Sequence, residues 1–329
     1  MTKFSFCVIT YNQVNEIDEV LGSIFDQNPC CSFEVIVSDD GSDDGTIDKI
    51  KKWQLRYPDK LKLYIQPREL GDKTSVMARI SNSIRCALDN MTGDYFCLFD
   101  GDDYCKYKNF ASDAVSIMEN NNSVNTVLFD FEYRFPDRIE KSFYNNVQEG
   151  IIDKKTFFGN NYAHSGAMVF RNNLTPKKIE LLTSVPFVID NTIIPFMLNV
   201  GKLYYLPEVA YSYRVSGGTW DKRTSADKAV FTVLIDGIIA KIAPEFQIAF
   251  RNRIRHYFTY IFDNKNFLKK NMTNDLFEEY SRIAYKYDKR FAYKCLNWKN
   301  LKFFERWSLK RYYKKLMNQK NFLKNFDQL

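Results

Sequence analysis

The stretch Tyr95-Phe96-Cys97-Leu98-Phe99-Asp100-Gly101-Asp102-Asp103 decides how this chain is read. Five apolar and aromatic residues stop abruptly at a turn carrying three carboxylates. The run has the length and bulk of a strand buried on both faces of a parallel sheet. The carboxylates then stand just past its carboxyl end, where open α/β sheets bind ligands. In extended geometry Asp100 and Asp102 point to the same side, because side chains alternate along a strand. Hard oxygen donors in that place suit Mg2+ or Mn2+, bound together with substrate phosphates. The plainer reading of the same residues is a solvated acidic turn.

Upstream, the pattern alternates. Phe4 to Thr10 reads as a strand, broken by Tyr11-Asn12-Gln13. Val14 to Gln27 carries Ile17, Val20, Leu21, Ile24 and Phe25 at helical spacing. Phe33 to Ser38 is a second strand, ending at Asp39-Asp40-Gly41-Ser42-Asp43-Asp44-Gly45-Thr46. A helix over 47–57, a strand over 61–65 and a helix over 74–90 complete the approach to the pivotal strand. This β-α-β-α-β-α-β order predicts an α/β fold, a Rossmann-like parallel sheet with right-handed crossovers. Two strand ends therefore bring acidic, Gly-containing loops to one edge. No G-x-G-x-x-G follows the first strand and no G-x-x-x-x-G-K-[ST] occurs, so dinucleotide and P-loop readings lose their support. Acidic loops repel bare phosphate, and a phosphorylated ligand needs a bridging cation. A nucleoside diphosphate with Mn2+ or Mg2+ meets that demand.

Composition sets the outer bounds. The 329 residues are 45% hydrophobic and 16% aromatic, enough for a large core. No run approaches the ~18–20 apolar residues of a membrane span, and the first strand pattern leaves no room for a signal peptide. The seven cysteines contain no Cys-x-x-Cys pair. Neither a zinc site nor a disulfide framework is indicated, and reduced thiols fit a cytoplasmic protein.

The combination of motifs resembles the family 2 inverting glycosyltransferases of GT-A fold. The matching pieces are Val8-Ile9-Thr10-Tyr11-Asn12, Val35 to Thr46, Ala78-Arg79 with Asn82, and Gly93-Asp94-Tyr95 leading to Asp100-Gly101-Asp102-Asp103. The resemblance implies that Thr10, Tyr11 and Asp39 hold the nucleoside, with Asp39 accepting from the base. It places Asn12, Asp40, Arg79 and Gly101 in the same nucleotide-binding set. It implies that Asp100 contacts ribose or metal and that Asp102 binds the cation. The Pro that often precedes the Thr-Tyr-Asn element is missing here.

Beyond Tyr104 the signals thin out. Phe110 to Glu119 reads as a helix and Asn125 to Phe135 as a strand with alternating faces. Residues 136–150 read as an irregular connection. His164-Ser165-Gly166-Ala167 is a small-residue turn entering a strand. His164 is either an acceptor or diphosphate contact or a hydrogen-bonded structural histidine. Inverting transfer needs a base for the acceptor hydroxyl. The family usually places Glu-Asp at a helix start for this; the chain has Ile189-Asp190, keeping the second position. Asp190 equally suits a helix N-cap. Arg214 and Trp220 lie on the closing strand and loop, as contacts to the leaving group and sugar or as structural residues. Ser216 stands where many relatives carry a metal-binding His. No Gln-x-x-Arg-Trp signature follows, which points to single additions.

The reading divides the chain into a GT-A domain over 1–225, with a nucleotide-binding half over 1–105 and an acceptor half over 106–225. A basic helical extension covers 226–329. In that extension Trp298, Leu301, Phe304, Leu309, Tyr312 and Leu316 follow one helical face, with Lys302, Arg306, Lys310, Lys314 and Lys315 around the other. Such a segment lies on an anionic membrane surface or docks on protein. No nucleic-acid motif accompanies the charge. The expected function is transfer of one sugar from a nucleotide-sugar donor to a glycan or lipid-linked acceptor in bacterial surface polysaccharide synthesis. The expected place is the cytoplasm, at the inner face of the membrane. A catalytically silent nucleotide-sugar-binding scaffold and a sugar-phosphate nucleotidyltransferase are the alternatives.

Overall fold

A computed structural model of the chain describes residues 2–28, 31–68, 76–142, 147–152, 157, 164–174, 188–198, 201–215, 302–308 and 311. The chain forms two compact units. One comprises Met1–Thr183 and Phe187–Ser216, the other Ser184–Pro186 and Gly217–Leu329.

The first unit runs β1 (Lys3–Thr10), α1 (Ile17–Phe25), β2 (Ser32–Asp39), α2 (Thr46–Arg56), β3 (Leu61–Ile65), α3 (Val76–Asn90) and β4 (Tyr95–Asp100). It continues with β5 (Tyr104–Cys105), α4 (Phe110–Asn120), β6 (Val124–Arg134), β7 (Ile139–Ser142) and β8 (Gly150–Ile152). A 3-10 turn (Ser165–Ala167), β9 (Met168–Arg171), α5 (Asp190–Leu198) and β10 (Lys202–Arg214) complete it. The strands join in one sheet ordered β3-β2-β1-β4-β9-β6-β10-β5, with β7 on β6 and β8 on β10. Strands β3, β2, β1 and β4 are mutually parallel, as the alternating pattern requires. Strand β9 enters antiparallel between β4 and β6.

Alternation along the strands builds the core. Phe4, Phe6 and Val8 of β1 pack with Val35, Val37 and Phe99 against Ile17, Val20, Leu21 and Ile24 of α1, and Phe110 and Ala114 of α4 extend the same cluster. Cys7 takes the opposite face of β1 and meets Met91, just past α3, at 3.9 Å. Helices thus cover both faces, which is why β1, β2 and β4 read as near-continuous apolar runs.

Three local differences from the sequence pattern have physical causes. Helix α1 begins at Ile17 rather than Val14, because the residues before it are tied elsewhere. The Gln13 N–H donates to Thr46 Oγ1 and the Val14 N–H to Asp44 Oδ2, while the Gln13 carbonyl accepts from Glu16 and Ile17. Residues 139–142 form strand β7, although their side chains carry no apolar face. Backbone pairing with β6 recruits them. Strand β6 buries both of its faces. Asp130 accepts from the Tyr205 hydroxyl at 3.0 Å, and Glu132 accepts from Lys106 Nζ at 2.6 Å and Ser212 Oγ at 3.0 Å. Buried carboxylates need such partners.

Glu34 shows the same rule at the amino end of the sheet. It is buried, and accepts from Lys3 Nζ at 2.8 Å, Ser5 Oγ at 2.8 Å, the Thr92 N–H at 2.6 Å and Thr92 Oγ1 at 2.9 Å. Burial alone would raise its pKa. The Lys3, Thr92 and Ser5 hydrogen bonds outweigh it and pull the carboxyl down to about 2.

In the second unit, residues 303–308 form a short helix that exposes Phe303, Phe304 and Trp307. The Arg311 guanidinium lies 5.3 Å from the Trp307 ring centre. Among the described residues, no helix is long and apolar enough to cross a membrane.

Candidate active site

Register places the site. Thr10, the last residue of β1, lies opposite Asp39, the last residue of β2. On the other side of β1, Ile9 lies opposite Asp100, the last residue of β4. Three neighbouring parallel strands thus end together, and their loops share the carboxyl edge of the sheet.

The first loop is held by its own polar side chains. Asn12 sits in the left-handed region with φ 50°, which its short amide side chain tolerates. Its Nδ2 donates to Asp43 Oδ1 at 2.9 Å, and its Oδ1 accepts from the Asp43 N–H at 3.0 Å. This two-way pairing turns Asn12 toward the β2 loop and leaves the Tyr11 ring exposed at the edge. Asp39 is wholly buried, and accepts from the Ser42 N–H at 2.7 Å and Ser42 Oγ at 2.6 Å. Burial pushes its carboxyl above the usual range, with the Ser42 and Gly41 bonds opposing and the charge of Asp40 adding to the rise. Asp40 pairs with Arg79 Nη1 at 3.0 Å and Arg68 Nη1 at 3.2 Å. Arg79 projects from α3 and is buried, so Asp40 ties helix and loop to the strand end.

The second loop turns more sharply than strand alternation predicts. The Asp103 N–H donates to the Asp100 carbonyl at 3.2 Å, so the extended chain stops at Asp100 and Asp102 leaves the strand direction. Gly101 is enclosed: an added Cβ would stand 2.2 Å from Gln13 Oε1 and 2.6 Å from Thr10 Cβ. Its N–H donates to the Ile9 carbonyl at 2.8 Å. The three carboxylates then diverge in role. Asp103 is fully buried, with Oδ2 accepting from the Tyr211 hydroxyl at 2.9 Å and Oδ1 from the Arg214 N–H at 2.7 Å. Burial and the neighbouring Asp102 charge raise its pKa. Asp100 is half-exposed, and Asp102 is partly buried with its carbonyl accepting from Arg214 Nε at 2.8 Å.

His164 joins this group from far along the chain. Its Nε2 stands 3.6 Å from Asp100 Oδ2 and 4.0 Å from Asp103 Oδ2. The ring packs on Tyr211, with centres 5.0 Å apart. Gly166 makes this possible, since a Cβ there would stand 2.1 Å from the Tyr211 ring. His164 Nδ1 accepts from the Gly166 N–H at 3.2 Å. An accepting Nδ1 puts the proton of a neutral imidazole on Nε2, facing the carboxylates. A metal-binding imidazole ordinarily donates its other N–H. His164 therefore fits a donor to Asp100 or to a phosphate oxygen better than a metal ligand.

Donor atoms of Asp100, Asp103 and His164 all lie within 4.8 Å of one another. Both Asp103 oxygens already accept protein hydrogen bonds, which makes Asp103 the brace of the loop. The acidic turn offers hard oxygen donors of the kind a Mg2+ or Mn2+ ion takes, and the cluster the structure brings together there contains Asp100 but not Asp102.

Other predicted residues fall as follows. Asp190 opens α5, whose approach is fixed to α3 by the Val188 N–H donating to Ser81 Oγ at 2.8 Å. Its side chain lies outside the described residues, as do Ser216 and Trp220. Arg214 clasps the Asp102 carbonyl and reaches Glu19 of α1 at 2.7 Å, bracing the loop from behind. Asp103, Tyr211, Gly166 and Arg68 carried no site prediction, because their roles depend on partners distant in sequence.

Fold and strand-end loops together define an α/β protein of the GT-A type, with its ligand edge at β1, β2 and β4. The chain belongs to glycosyl transferase family 2, whose family model matches residues 5–176. It is 33% identical over 125 residues to the poly(ribitol-phosphate) beta-N-acetylglucosaminyltransferase TarS of Staphylococcus aureus, a match covering 38% of this chain and 20% of TarS. It is 34% identical over 101 residues to the putative glycosyltransferase EpsE of Bacillus subtilis, covering 31% of this chain and 33% of EpsE. The matched stretch is thus a fifth to a third of those relatives' length. The crystal structure of S. aureus TarS 1-349 in complex with UDP is similar in fold, with TM-score 0.56 at 18% identity over 95% of this chain and 92% of that one.

Proposed function

We propose that this protein transfers one sugar from a nucleotide-sugar donor to a glycan or lipid-linked acceptor of bacterial surface polysaccharide synthesis, with inversion. The observation that carries the reading is the side-by-side ending of Thr10, Asp39 and Asp100, with the Tyr11 ring exposed beside them. Thr10, Tyr11, Asn12 and Asp39 hold the nucleoside end of the donor. Asp100 and Asp102 hold Mn2+ or Mg2+, which when bound stabilises the departing diphosphate as a Lewis acid. The Nε2–H of His164 donates to Asp100 or the diphosphate. Asp190, at the head of α5, takes the proton of the acceptor hydroxyl.

The test incubates the full chain with a panel of nucleotide-sugars and Mn2+ and measures nucleoside diphosphate release. Release that stops with chelator and in Asp102→Asn supports the reading. No release with any donor, or full release by Asp102→Asn, sinks it.

The exposed Phe303, Phe304 and Trp307, with Lys302 and Arg311 nearby, support contact of the second unit with an anionic membrane surface. Removing residues 297–329 then releases the protein from phosphatidylglycerol vesicles and leaves donor hydrolysis intact. Equal vesicle binding by the shortened chain refutes that contact.

A further inference from the structure

A cavity of about 370 Å³ lies between α1 and the segment that leaves the carboxylate turn. Glu19, Asp26 and Gln27 line one wall, and Tyr104, Lys106 and Lys108 the other. Its volume falls in the range of small-molecule sites. The walls are pinned to each other. The Cys105 N–H donates to Ser23 Oγ at 3.2 Å, and the Asn28 N–H donates to the Lys108 carbonyl at 2.8 Å. None of the six belongs to the nucleotide-binding set, although Glu19 is tied through Arg214 to the Asp102 carbonyl.

The lining is polar but electrically balanced. Asp26 pairs with Lys108 at 2.7 Å, Lys106 with the buried Glu132 at 2.6 Å, and Glu19 with Arg214 at 2.7 Å. An ammonium has several donors and a carboxylate several acceptor positions, so one ion pair exhausts neither. Donors and acceptors therefore stand together with no net charge to draw in an ion. Gln27 adds a second sign of a ligand. Its Nε2 donates to the Tyr107 carbonyl at 3.1 Å, while its buried Oε1 has no hydrogen-bond partner among the described residues. A buried acceptor ordinarily has one, from protein, water or ligand. Tyr104 contributes an aromatic ring, fixed by the Arg134 guanidinium donating to its hydroxyl.

We propose that this cavity is a saccharide-binding site, apart from the donor edge, that holds one neutral sugar unit of a glycan. Sugar hydroxyls donate and accept, which matches the paired lysines and carboxylates. The C–H side of the sugar ring lies against Tyr104. A free phosphate finds both ammonium groups already neutralised. The inference goes beyond the transfer reading and does not depend on it.

Saturation-transfer NMR on the full chain tests it, with glucose, galactose and N-acetylglucosamine as separate probes. A monosaccharide of about a dozen heavy atoms, at ordinary ligand efficiency, binds with a Kd of about 1–10 mM. At least one probe shows transfer, and inorganic phosphate does not displace it. Asp26→Ala combined with Lys108→Ala removes an exposed pair, so melting temperature and UDP affinity stay as in wild type. The same double variant weakens the sugar about tenfold, through two lost hydrogen-bonding groups. Tyr104→Leu, which removes the ring, weakens it too. No transfer from any of the three sugars in that range overturns the proposal. Equal transfer in wild type and the double variant does so as well, because the sugar then sits elsewhere. Displacement by phosphate overturns the assignment to a neutral ligand. UDP that binds neither protein removes the nucleotide-sugar reading and leaves the cavity result standing.

Discussion

The hydroxyl of Tyr211 donates to Asp103 at 2.9 Å, across 108 residues of sequence. The bond ties the last strand of the first unit to the turn that carries the site's carboxylates. The same hydroxyl lies 3.3 Å from the Asp100 N–H, and the ring supports His164. One buried side chain therefore braces a carboxylate, a strand end and an imidazole.

Tyr211→Phe keeps the ring and removes the hydroxyl. Asp103 Oδ2 is left buried without that donor, at a cost of about 1–3 kcal/mol. Urea unfolding should show the loss in full, and donor hydrolysis should fall because the turn loosens. A change below about 0.5 kcal/mol would show that the Arg214 N–H alone secures Asp103.

Gly166→Ala probes the same knot from the other side. The new methyl meets the Tyr211 ring at 2.1 Å, and backbone and ring cannot both stay. Overpacking of this kind costs about 1–3 kcal/mol. Reduced thermal stability together with altered His164 imidazole signals in NMR is the expected outcome. Wild-type melting and spectra would place the ring elsewhere.

Asp190→Asn is nearly isosteric, and Asp190 is the first residue of α5 and not its N-cap, since the Ile189 carbonyl accepts from the Ile193 N–H at 2.9 Å. Fold and donor affinity should survive, while kcat drops by about 10²–10⁴-fold through loss of the base. Turnover within a few-fold of wild type would remove Asp190 as the base, with His164 the next group to replace.

Glu34 makes stability depend on acid. Its folded pKa of about 2 lies below the ordinary glutamate value of 4.5. A depressed carboxyl stabilises the fold above its unfolded pKa, and that contribution is lost as pH falls from 4.5 through 2. Wild type should therefore lose stability across that window more steeply than Glu34→Gln, which should be destabilised at neutral pH. Parallel pH curves for the two proteins would remove Glu34 from the account.

Most of the parallel half was legible because its signals are local. Apolar runs such as Val35-Ile36-Val37 fix strands, and the acidic residues that stop them mark the sheet edge. Asp39 and Asp100 could be put on that edge from sequence alone. Asp103 could not be separated from Asp102, since the Asp100–Asp103 turn breaks the alternation on which the reading relied. Strand β7 escaped notice because backbone pairing, not side-chain pattern, makes it. Arg68 escaped because its role lies in pairing with Asp40, and nothing near Gln66-Pro67 announces that neighbour.

The insertion of β9 between β4 and β6 has a consequence for how the chain is made. Strand β4 is complete by Asp100, yet the neighbour beside Tyr95 and Phe96 spans Met168–Arg171. During synthesis, that edge of β4 waits about 70 residues for its partner, several seconds at ~5–20 residues per second. Bare strand edges invite pairing with other chains. A fragment ending near residue 105 would keep its edge open permanently and is expected to aggregate. One reaching past Arg171 carries its own closure, so residues 1–105 are not expected to fold as an independent unit.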